Sequence, residues 1–359
     1  MTELSQLTST FLDFLSSQDK NWSLCTLSFM ACFLVFFALY IPLRHYRQQW
    51  TKVYVICFSL FFAFKANGAL MWLLPFTTFV SWYLTHSMMR LKHGKLRKTG
   101  LAITIFTELI PLLYYKYTNF TLEIFHELLR SNFSPMKLLL PVGISFFTFQ
   151  AISYTVDVYR GRYPKTAKLL DYTFFLTFFP LLSAGPITRA EVLLPQIQTP
   201  KRNIKSALVY KGLWLIICGL IKKALIADYL AQYNNIVFDA PAVQNGFGDL
   251  MGVLGFSVQI YCDFSGYSDL AIGVAALMGY ELKDNFNFPY QSLNLTEFWH
   301  RWHIALSTWV RDYLYIPLGG NRKGTVRTYL NSFSVMIIAG LWHGASWMFI
   351  VWGVMHGIG

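Results

Sequence analysis

The chain has 359 residues, of which 55% are hydrophobic and 13% are charged, whereas soluble domains carry about a quarter charged residues. This composition excludes an ordinary water-soluble protein. The formal net charge is +12, but Lys and Arg lie in short clusters between apolar stretches, where orientation in a membrane accounts for them without nucleic acid. Apolar stretches of about 17–25 residues recur and predict about eight to ten membrane segments. The expected fold is all-α, a polytopic membrane helical bundle that forms a single domain over residues 1–359.

The first predicted spans alternate with basic loops. Residues 22–43 form the first span, and their acidic N-terminal flank is expected outside the cell. Basic clusters at 44–52 and 90–98 are expected on the cytoplasmic side. The apolar stretch 53–87 between them is interrupted by the polar residues 65–68, so it is predicted to be a helical hairpin that goes out and returns.

The next apolar stretches are less regular. Residues 100–117 and 138–158 are predicted to cross, and the basic loop 160–168 then lies in the cytoplasm. Residues 171–184 are apolar but too short to cross. They are predicted to be re-entrant or interfacial, because irregular backbone persists at membrane depth only where protein or a cavity covers it.

The C-terminal half is predicted to hold three more crossings. Residues 208–230 cross outward, although Lys222 and Lys223 lie deep within this span, and residues 250–279 return. The polar segment 280–327 carries six Lys and Arg residues, so it is expected on the cytoplasmic side. The chain from Tyr329 onward is predicted to cross outward again.

Two carboxylates stand out in the middle of the span 250–279. Asp263 and Asp269 are six residues apart, which separates them by about 120° around a helix. Ionisable residues inside membrane segments usually face a partner or a cavity. The pair therefore indicates either a polar network that holds helices together or the lining of a channel for a polar substrate.

An amphipathic helix is predicted over residues 298–313, at the cytoplasmic interface. Asn294 followed by Glu297 is typical of a helix start. One face of this helix would carry an aromatic and aliphatic stripe: Phe298, Trp302, Leu306, Trp309 and Tyr313. Membrane anchoring explains the stripe but not His300 and His303. Their spacing puts both on one face, yet further Cys or His residues at zinc-site spacing are lacking, so no metal is predicted.

A third histidine lies in the apolar run 339–347. His343 is about 14 residues into a predicted helix, near the middle of a bilayer. Gly340 and Gly344 leave space beside the ring for another helix or a ligand chain, which favours a functional role.

Arg189, beside a Gly-Pro break, could bind phosphate, although loop orientation also explains it. The sequence has no G-x-S-x-G elbow, P-loop or dinucleotide fingerprint.

Several motifs, in this order, resemble the membrane-bound O-acyltransferase superfamily, and its bacterial branch around the alginate O-acetyltransferase membrane subunit in particular. They are Leu140-Pro-Val-Gly-Ile-Ser-Phe-Phe-Thr-Phe-Gln150, Ala184-Gly-Pro-Ile-Thr-Arg189, Asp263-Phe-Ser-Gly-Tyr-Ser-Asp269, Asn285-Phe-Asn-Phe-Pro-Tyr290, Phe298-Trp-His-Arg-Trp-His303, Arg311-Asp-Tyr-Leu-Tyr-Ile-Pro-Leu-Gly-Gly-Asn-Arg322 and Leu341-Trp-His-Gly344. The motif resemblance covers residues from about Pro141 to the end, and the preceding region matches in hydropathy only.

The resemblance implies two catalytic histidines, His343 as general base and His303 as a group that orients or polarises the donor. It implies a deep cavity with a thioester donor, acetyl-coenzyme A or an acyl carrier, entering from the cytoplasm and no bound cofactor. Arg301 and Arg322 are candidates for the donor's phosphates. The other donor- or substrate-binding candidates are Asp263, Asp269, Arg189 and Trp342.

The resemblance also implies a cellular location, a set of partners and an alternative activity. The setting is the bacterial inner membrane, with lipid around the chain, a polysaccharide acceptor outside and an extracytoplasmic acetyltransferase as partner protein. Relatives usually carry Arg or Asn where this chain has His300, and they continue with further membrane helices after the position of Gly359, so the chain is expected to be a C-terminally truncated form. D-alanyl transfer to teichoic acid is the rival activity. A polysaccharide or lipid transporter would show inverted repeats, which are not evident.

Overall fold

The structure is a computed structural model that describes residues 13–19, 22–163, 166–199 and 204–359. Regular structure in these ranges is helical, and none of these residues forms a strand, so the predicted all-α class is confirmed. The helices of the first half are α1 (Leu27–Leu43), α2 (Gln48–Asn67), α3 (Leu73–Arg90), α4 (Lys95–Leu112), α5 (Thr118–Leu128), α6 (Ile144–Tyr159), α7 (Leu169–Thr177), α8 (Phe179–Leu182) and α9 (Ala190–Gln198).

The second half continues in the same way. Its helices are α10 (Ser206–Leu220), α11 (Asp228–Asp239), α12 (Gly246–Leu277), α13 (Leu295–Arg301), α14 (Ile304–Val310), α15 (Thr325–His343) and α16 (Trp347–Ile358). Turns of π-helix join α4 to α5 at Leu113–Tyr117, join α10 to α11 at Ile221–Ala227 and follow α14 at Arg311–Tyr315.

Helix length and composition give limited support for membrane crossing. Within the described ranges, one helical run, Gln48–Arg90, is long and apolar enough to span a bilayer. Two shorter apolar helices are Leu27–Leu43 and Trp347–Ile358. The expected total of about eight to ten segments is not reached by this criterion, so the polytopic bundle stays a prediction.

The polar break predicted at residues 65–68 is confirmed. Helix α2 ends at Asn67, Gly68 follows with φ of 58°, and α3 begins at Leu73. Lys65 is 1% exposed, and its Nζ donates hydrogen bonds of 2.7 Å to the carbonyl oxygens of Phe14 and Ser17. A lysine inside an apolar stretch is thus accommodated because the preceding segment supplies acceptors.

The short apolar stretch 171–184 lies at the centre of the molecule. Residues 174–182 of α7 and α8 are all buried, and Phe179 has no exposed surface. Its ring contacts five phenylalanine rings of α1 and α2 at centroid distances between 5.0 and 6.2 Å, namely Phe29, Phe33, Phe36, Phe58 and Phe62. The irregular segment is therefore covered by protein, as its sequence required.

Helices α10 and α12 form an antiparallel pair with close backbone contact. A Cβ atom on Gly212 would lie 2.9 Å from the Gly273 carbonyl oxygen, and one on Gly219 would lie 2.7 Å from that of Gly266. Small residues allow this approach, which is typical of helix packing in membranes. The out-and-back arrangement predicted for 208–230 and 250–279 is consistent with this pair.

The apolar chain from Tyr329 onward is divided into two helices, and its outward crossing stays a prediction. Helix α15 ends at His343, Gly344 adopts an extended conformation, and α16 begins at Trp347. The two helices then pack antiparallel, because Gly340 lies against the Phe349 carbonyl and Gly353 against that of Met336. Hydropathy alone does not reveal this hairpin, since both arms are apolar.

The hairpin contact can be tested by adding a single methyl group. A Cβ on Gly353 would lie 2.6 Å from the Met336 carbonyl oxygen, whereas one on Gly246 would meet nothing within 4 Å. We expect Gly353→Ala to destabilise the protein by about 1–3 kcal/mol through overpacking and Gly246→Ala to have little effect. The midpoint of heat-induced aggregation in detergent measures this. Equal midpoints for both variants would contradict the hairpin packing.

Candidate active site

A large cavity lies between the segment 296–321 and the hairpin of α15 and α16. Its volume is about 750 Å³. The polar segment contributes His300, Thr308, Arg311 and Asn321, and the hairpin contributes apolar side chains together with His343. His343 is the last residue of α15 and is exposed to this space. The cavity therefore joins the segment 296–321 to the histidine of the Trp-His-Gly motif.

The amphipathic helix predicted over 298–313 is broken at His303. Helix α13 ends at Arg301, His303 has φ of 43°, and α14 starts at Ile304. Asn285 accounts for the break, because its backbone oxygen accepts from Ile304 N at 2.9 Å and its side-chain oxygen accepts from Ala305 N at 3.1 Å. A distant segment thus caps a new helix, which periodicity within 298–313 cannot indicate.

His303 is held in the interior next to this break. It is 2% exposed, and its Nε2 has no hydrogen-bond partner among the described residues. Its ring lies edge-on to Phe264 with centroids 4.5 Å apart. Burial, and then repulsion by His343, lower the pKa of His303 to about 3. The imidazole is therefore neutral at physiological pH and can act as a hydrogen-bond donor or acceptor.

Trp342 brings the two histidines into one neighbourhood. Its ring centroid is 4.9 Å from that of His343 and 6.2 Å from that of His303. On its other side it stacks on Phe149 at 5.5 Å, and Phe149 in turn stacks on Trp309 at 3.9 Å. Side chains from α6, α14 and α15 thus fix the position of Trp342. The three motif residues predicted at the site are gathered together.

Arg189 is close to this region but is bound by protein groups. Its Nη1 lies 2.6 Å from Asp312 Oδ2, and Nη2 donates to the Thr308 carbonyl at 3.0 Å. It lines a second cavity of about 330 Å³, which shares Ile304, Thr308 and Arg311 with the first. Burial alone would raise the pKa of Asp312, but hydrogen bonds from Arg311 and Arg189 outweigh it and lower that pKa. Arg189 therefore anchors the segment after α14.

The other predicted basic ligands do not line the large cavity. Arg301 is paired with Glu297 at 2.7 Å and donates to the Asn287 carbonyl at 3.3 Å. Arg322 is exposed in the turn before α15, next to the cavity residue Asn321. Arg311 lines both cavities, and sequence reasoning did not select it. Its position at the start of the π-helical turn after α14, between the two cavities, was the missing information.

The histidine pair considered for a metal is separated by the same break. His300 lies on α13, where Nδ1 is 2.6 Å from the Thr296 carbonyl oxygen, and His303 lies beyond the helix end. The two rings therefore do not lie on one face of a single helix. Within the described ranges, no three His, Cys, Asp or Glu side chains are grouped as metal ligands.

Asp263 and Asp269 are paired with the two lysines that did not fit the predicted span. Lys222 Nζ lies 2.7 Å from Asp269, and Lys223 Nζ lies 2.6 Å from Asp263 and 2.6 Å from Asp228. Neither aspartate lines the two cavities described above. These contacts favour the polar network between helices, and substrate binding by the pair stays a prediction.

Two residues near His343 were missed because the sequence reading treated 100–117 as an ordinary span. Lys116 Nζ donates to the Trp342 carbonyl, and the Tyr117 hydroxyl donates to the Leu341 carbonyl at 2.8 Å. An ionisable residue in an apolar stretch is itself a signal of a functional site. The same rule that selected Asp263 would have selected Lys116.

The comparison with protein families agrees with the motifs. Residues 57–359 match the model of MBOAT, the membrane-bound O-acyltransferase family. The chain therefore belongs to the membrane-bound O-acyltransferase family. The match begins well before Pro141, so the region that resembled the family only in hydropathy is largely part of the family domain.

Individual relatives narrow the comparison. A protein named probable alginate O-acetylase AlgI from Pseudomonas aeruginosa is 45% identical over 264 residues, which cover 72% of this chain and 50% of that protein. A peptidoglycan O-acetyltransferase from Helicobacter pylori is 35% identical over 358 residues, 92% of this chain and 68% of the relative. A teichoic acid D-alanyltransferase from Bacillus subtilis is 30% identical over 234 residues, which cover 62% of this chain and 59% of that protein. The chain spans about half the length of the alginate O-acetylases it matches.

The ion pair between Asp269 and Lys222 allows a structural role of Asp269 to be distinguished from a role in substrate binding. We expect Asp269→Asn to cost about 1–3 kcal/mol, because it leaves a half-buried ammonium without its partner, and Asp249→Asn, on the exposed start of α12, to have little effect. The double variant Asp269→Leu with Lys222→Met should recover both thermal stability and acylation activity. A double variant that is stable but inactive would instead assign Asp269 to substrate binding.

Proposed function

We propose that this chain is the membrane-embedded core of an O-acyltransferase that moves an acyl group, acetyl in particular, from a cytoplasmic thioester toward a hydroxyl of an exported bacterial polysaccharide. The observation that carries the proposal is the 750 Å³ cavity that the segment 296–321 shares with His343. Family membership supports the acyl-transfer chemistry. The names of the relatives support a polysaccharide acceptor.

His343 is the general base of the proposed reaction. Its imidazole accepts the proton of the acceptor hydroxyl while the hydroxyl oxygen attacks the thioester carbonyl. The tetrahedral intermediate then expels the thiolate, which takes up the proton from the imidazolium. A histidine suits this cycle because its unperturbed pKa lies near neutral pH, where it can both accept and return a proton.

His303 has a different task in this scheme. Because it is buried and neutral, its ring can offer an N–H to the thioester carbonyl without bringing a counter-charge into the interior. Its shared contact with Trp342 places it on the same aromatic surface as His343. We assign it to orienting or polarising the donor. Arg311 and His300, which line the cavity, are better placed for the anionic part of the donor than Arg301.

The proposed membrane arrangement gives donor and acceptor separate entrances. The segment 280–327 lies on the cytoplasmic side because of its Lys and Arg content, so acetyl-coenzyme A or an acyl carrier enters there. The distance from Tyr329 to His343 along α15 is about 20 Å at the rise of a helix, which a thin phosphopantetheine arm can span. The acceptor, or an extracytoplasmic acetyltransferase partner, approaches from the other side. A closed tunnel also keeps water from the thioester.

Replacement of the two histidines tests this assignment. We expect His343→Ala to lower polysaccharide acylation by about 10²–10⁴-fold, the usual loss for a general base, with an unchanged amount of protein in the membrane. His303→Ala should also be severe, though neighbouring groups can compensate for part of a positioning role. Acyl content of the surface polysaccharide, measured by mass spectrometry, provides the readout.

His45→Ala is the matched control, since that side chain is exposed and makes no hydrogen bond among the described residues. It should acylate as the wild type does. A His343→Ala variant that retained more than about a tenth of the activity would be incompatible with the general-base role.

A further inference from the structure

We infer that Lys116 and Tyr117 are positioning residues that hold the C-terminal end of α15 and thereby fix His343 for acyl transfer. The inference rests on the proposed function of His343. It adds two residues from a different part of the chain, more than 220 positions away in sequence, namely 226 for Lys116 to Trp342 and 224 for Tyr117 to Leu341.

The end of α15 lacks ordinary caps of its own. The last carbonyl groups of a helix have no partners within it. Gly344 N bonds back to the Gly340 carbonyl at 3.3 Å, but Gly344 is extended rather than left-handed, so the usual glycine cap is not formed. The carbonyls of Leu341 and Trp342 instead accept from Tyr117 and Lys116. An external element thus completes this helix end.

The two hydrogen-bond donors, Lys116 and Tyr117, lie in a π-helical turn. Residues Leu113–Tyr117 interrupt the path from α4 to α5, and such turns are frequent at functional sites. The Lys116 ammonium also lies 5.6 Å from the centroid of the Trp342 ring, within the range of a cation–π contact. A positive charge at a helix C-terminus is favourable because it opposes the negative end of the helix dipole.

The side chain of His343 depends on its backbone for orientation. Among the described residues, none makes a hydrogen bond to the His343 ring, whereas a catalytic base is commonly oriented by a third group. Its ring is bounded by Trp342 at 4.9 Å and Trp352 at 5.1 Å. The hydrogen bonds to the carbonyl oxygens of Leu341 and Trp342 therefore determine the position of the His343 ring. A displacement of about 1 Å can reduce a reaction rate about 10²-fold.

Enzyme kinetics separate this role from a general effect on folding. In membranes that contain the full-length protein, with labelled acetyl-coenzyme A as donor, Lys116→Met should reduce kcat by about 10–100-fold. The KM for the donor should change by less than about threefold, because Lys116 does not line the cavity proposed to hold the donor, so uniform binding is retained. Lys116→Arg restores a positively charged hydrogen-bond donor to the Trp342 carbonyl and should recover most of the rate. Tyr117→Phe should give a smaller loss in kcat.

Matched controls lie on the same part of the chain. Lys98→Met removes an exposed lysine from α4, and Tyr114→Phe removes a hydroxyl that has no partner among the described residues from the same π-helical turn. Both should behave as the wild type does. In a His343→Ala background, Lys116→Met should cause no further loss, since residues that act as a unit are not additive.

Each outcome decides the inference. Lys116→Met with kcat within twofold of the wild type, or with a raised KM and unchanged kcat, overturns it while leaving the role of His343 intact. An active His343→Ala variant overturns the proposed function itself. If Lys116→Met does not accumulate in the membrane, Tyr117→Phe decides: a lower kcat at normal abundance supports the positioning role, and a wild-type kcat overturns it.

Discussion

The pairing of charges inside an apolar helical interior is the constraint on which the other features depend. An unpaired charge in such an environment is strongly unfavourable, and the protein supplies partners from distant helices. The buried or half-buried pairs are Lys52 with Asp171, Lys222 with Asp269, Lys223 with Asp263 and Arg189 with Asp312. Lys65 and Lys116 use backbone carbonyls instead. His303 and His343 stand apart, since a neutral imidazole needs no counter-charge.

The site is built where regular helices are interrupted. The π-helical turn at Leu113–Tyr117, the left-handed residue His303 and the extended Gly344 all lie around Trp342. Each interruption releases backbone groups that a neighbouring element satisfies, through Asn285 in one case and through Lys116 in another. The interruptions place His303 and His343 next to Trp342. The stack of Trp309, Phe149 and Trp342 holds this region together.

Sequence reasoning predicted the all-α class of the fold, and it selected His303, His343 and Trp342, whose roles stay predictions. The motif histidines do meet at Trp342, and the polar break at residues 65–68 is present. Hydropathy could not show the turn after His343, because α15 and α16 are both apolar. Nor could periodicity show the break at His303, which depends on capture by Asn285, 18 positions earlier in the chain than His303. Asp263, Asp269, Lys222 and Lys223 were each unusual alone, and only tertiary contact explains them as pairs.

In the proposed mechanism, a cytoplasmic thioester reaches His343 through the large cavity. In a cysteine-free background, Ala339→Cys places a thiol in the cavity lining, and Ile338→Cys places one on the neighbouring exposed face of α15. With inside-out vesicles, acetyl-coenzyme A or an acyl-carrier thioester should protect the cysteine at 339 from maleimide and leave the one at 338 fully reactive. Equal labelling at 339 with and without either donor would contradict the account.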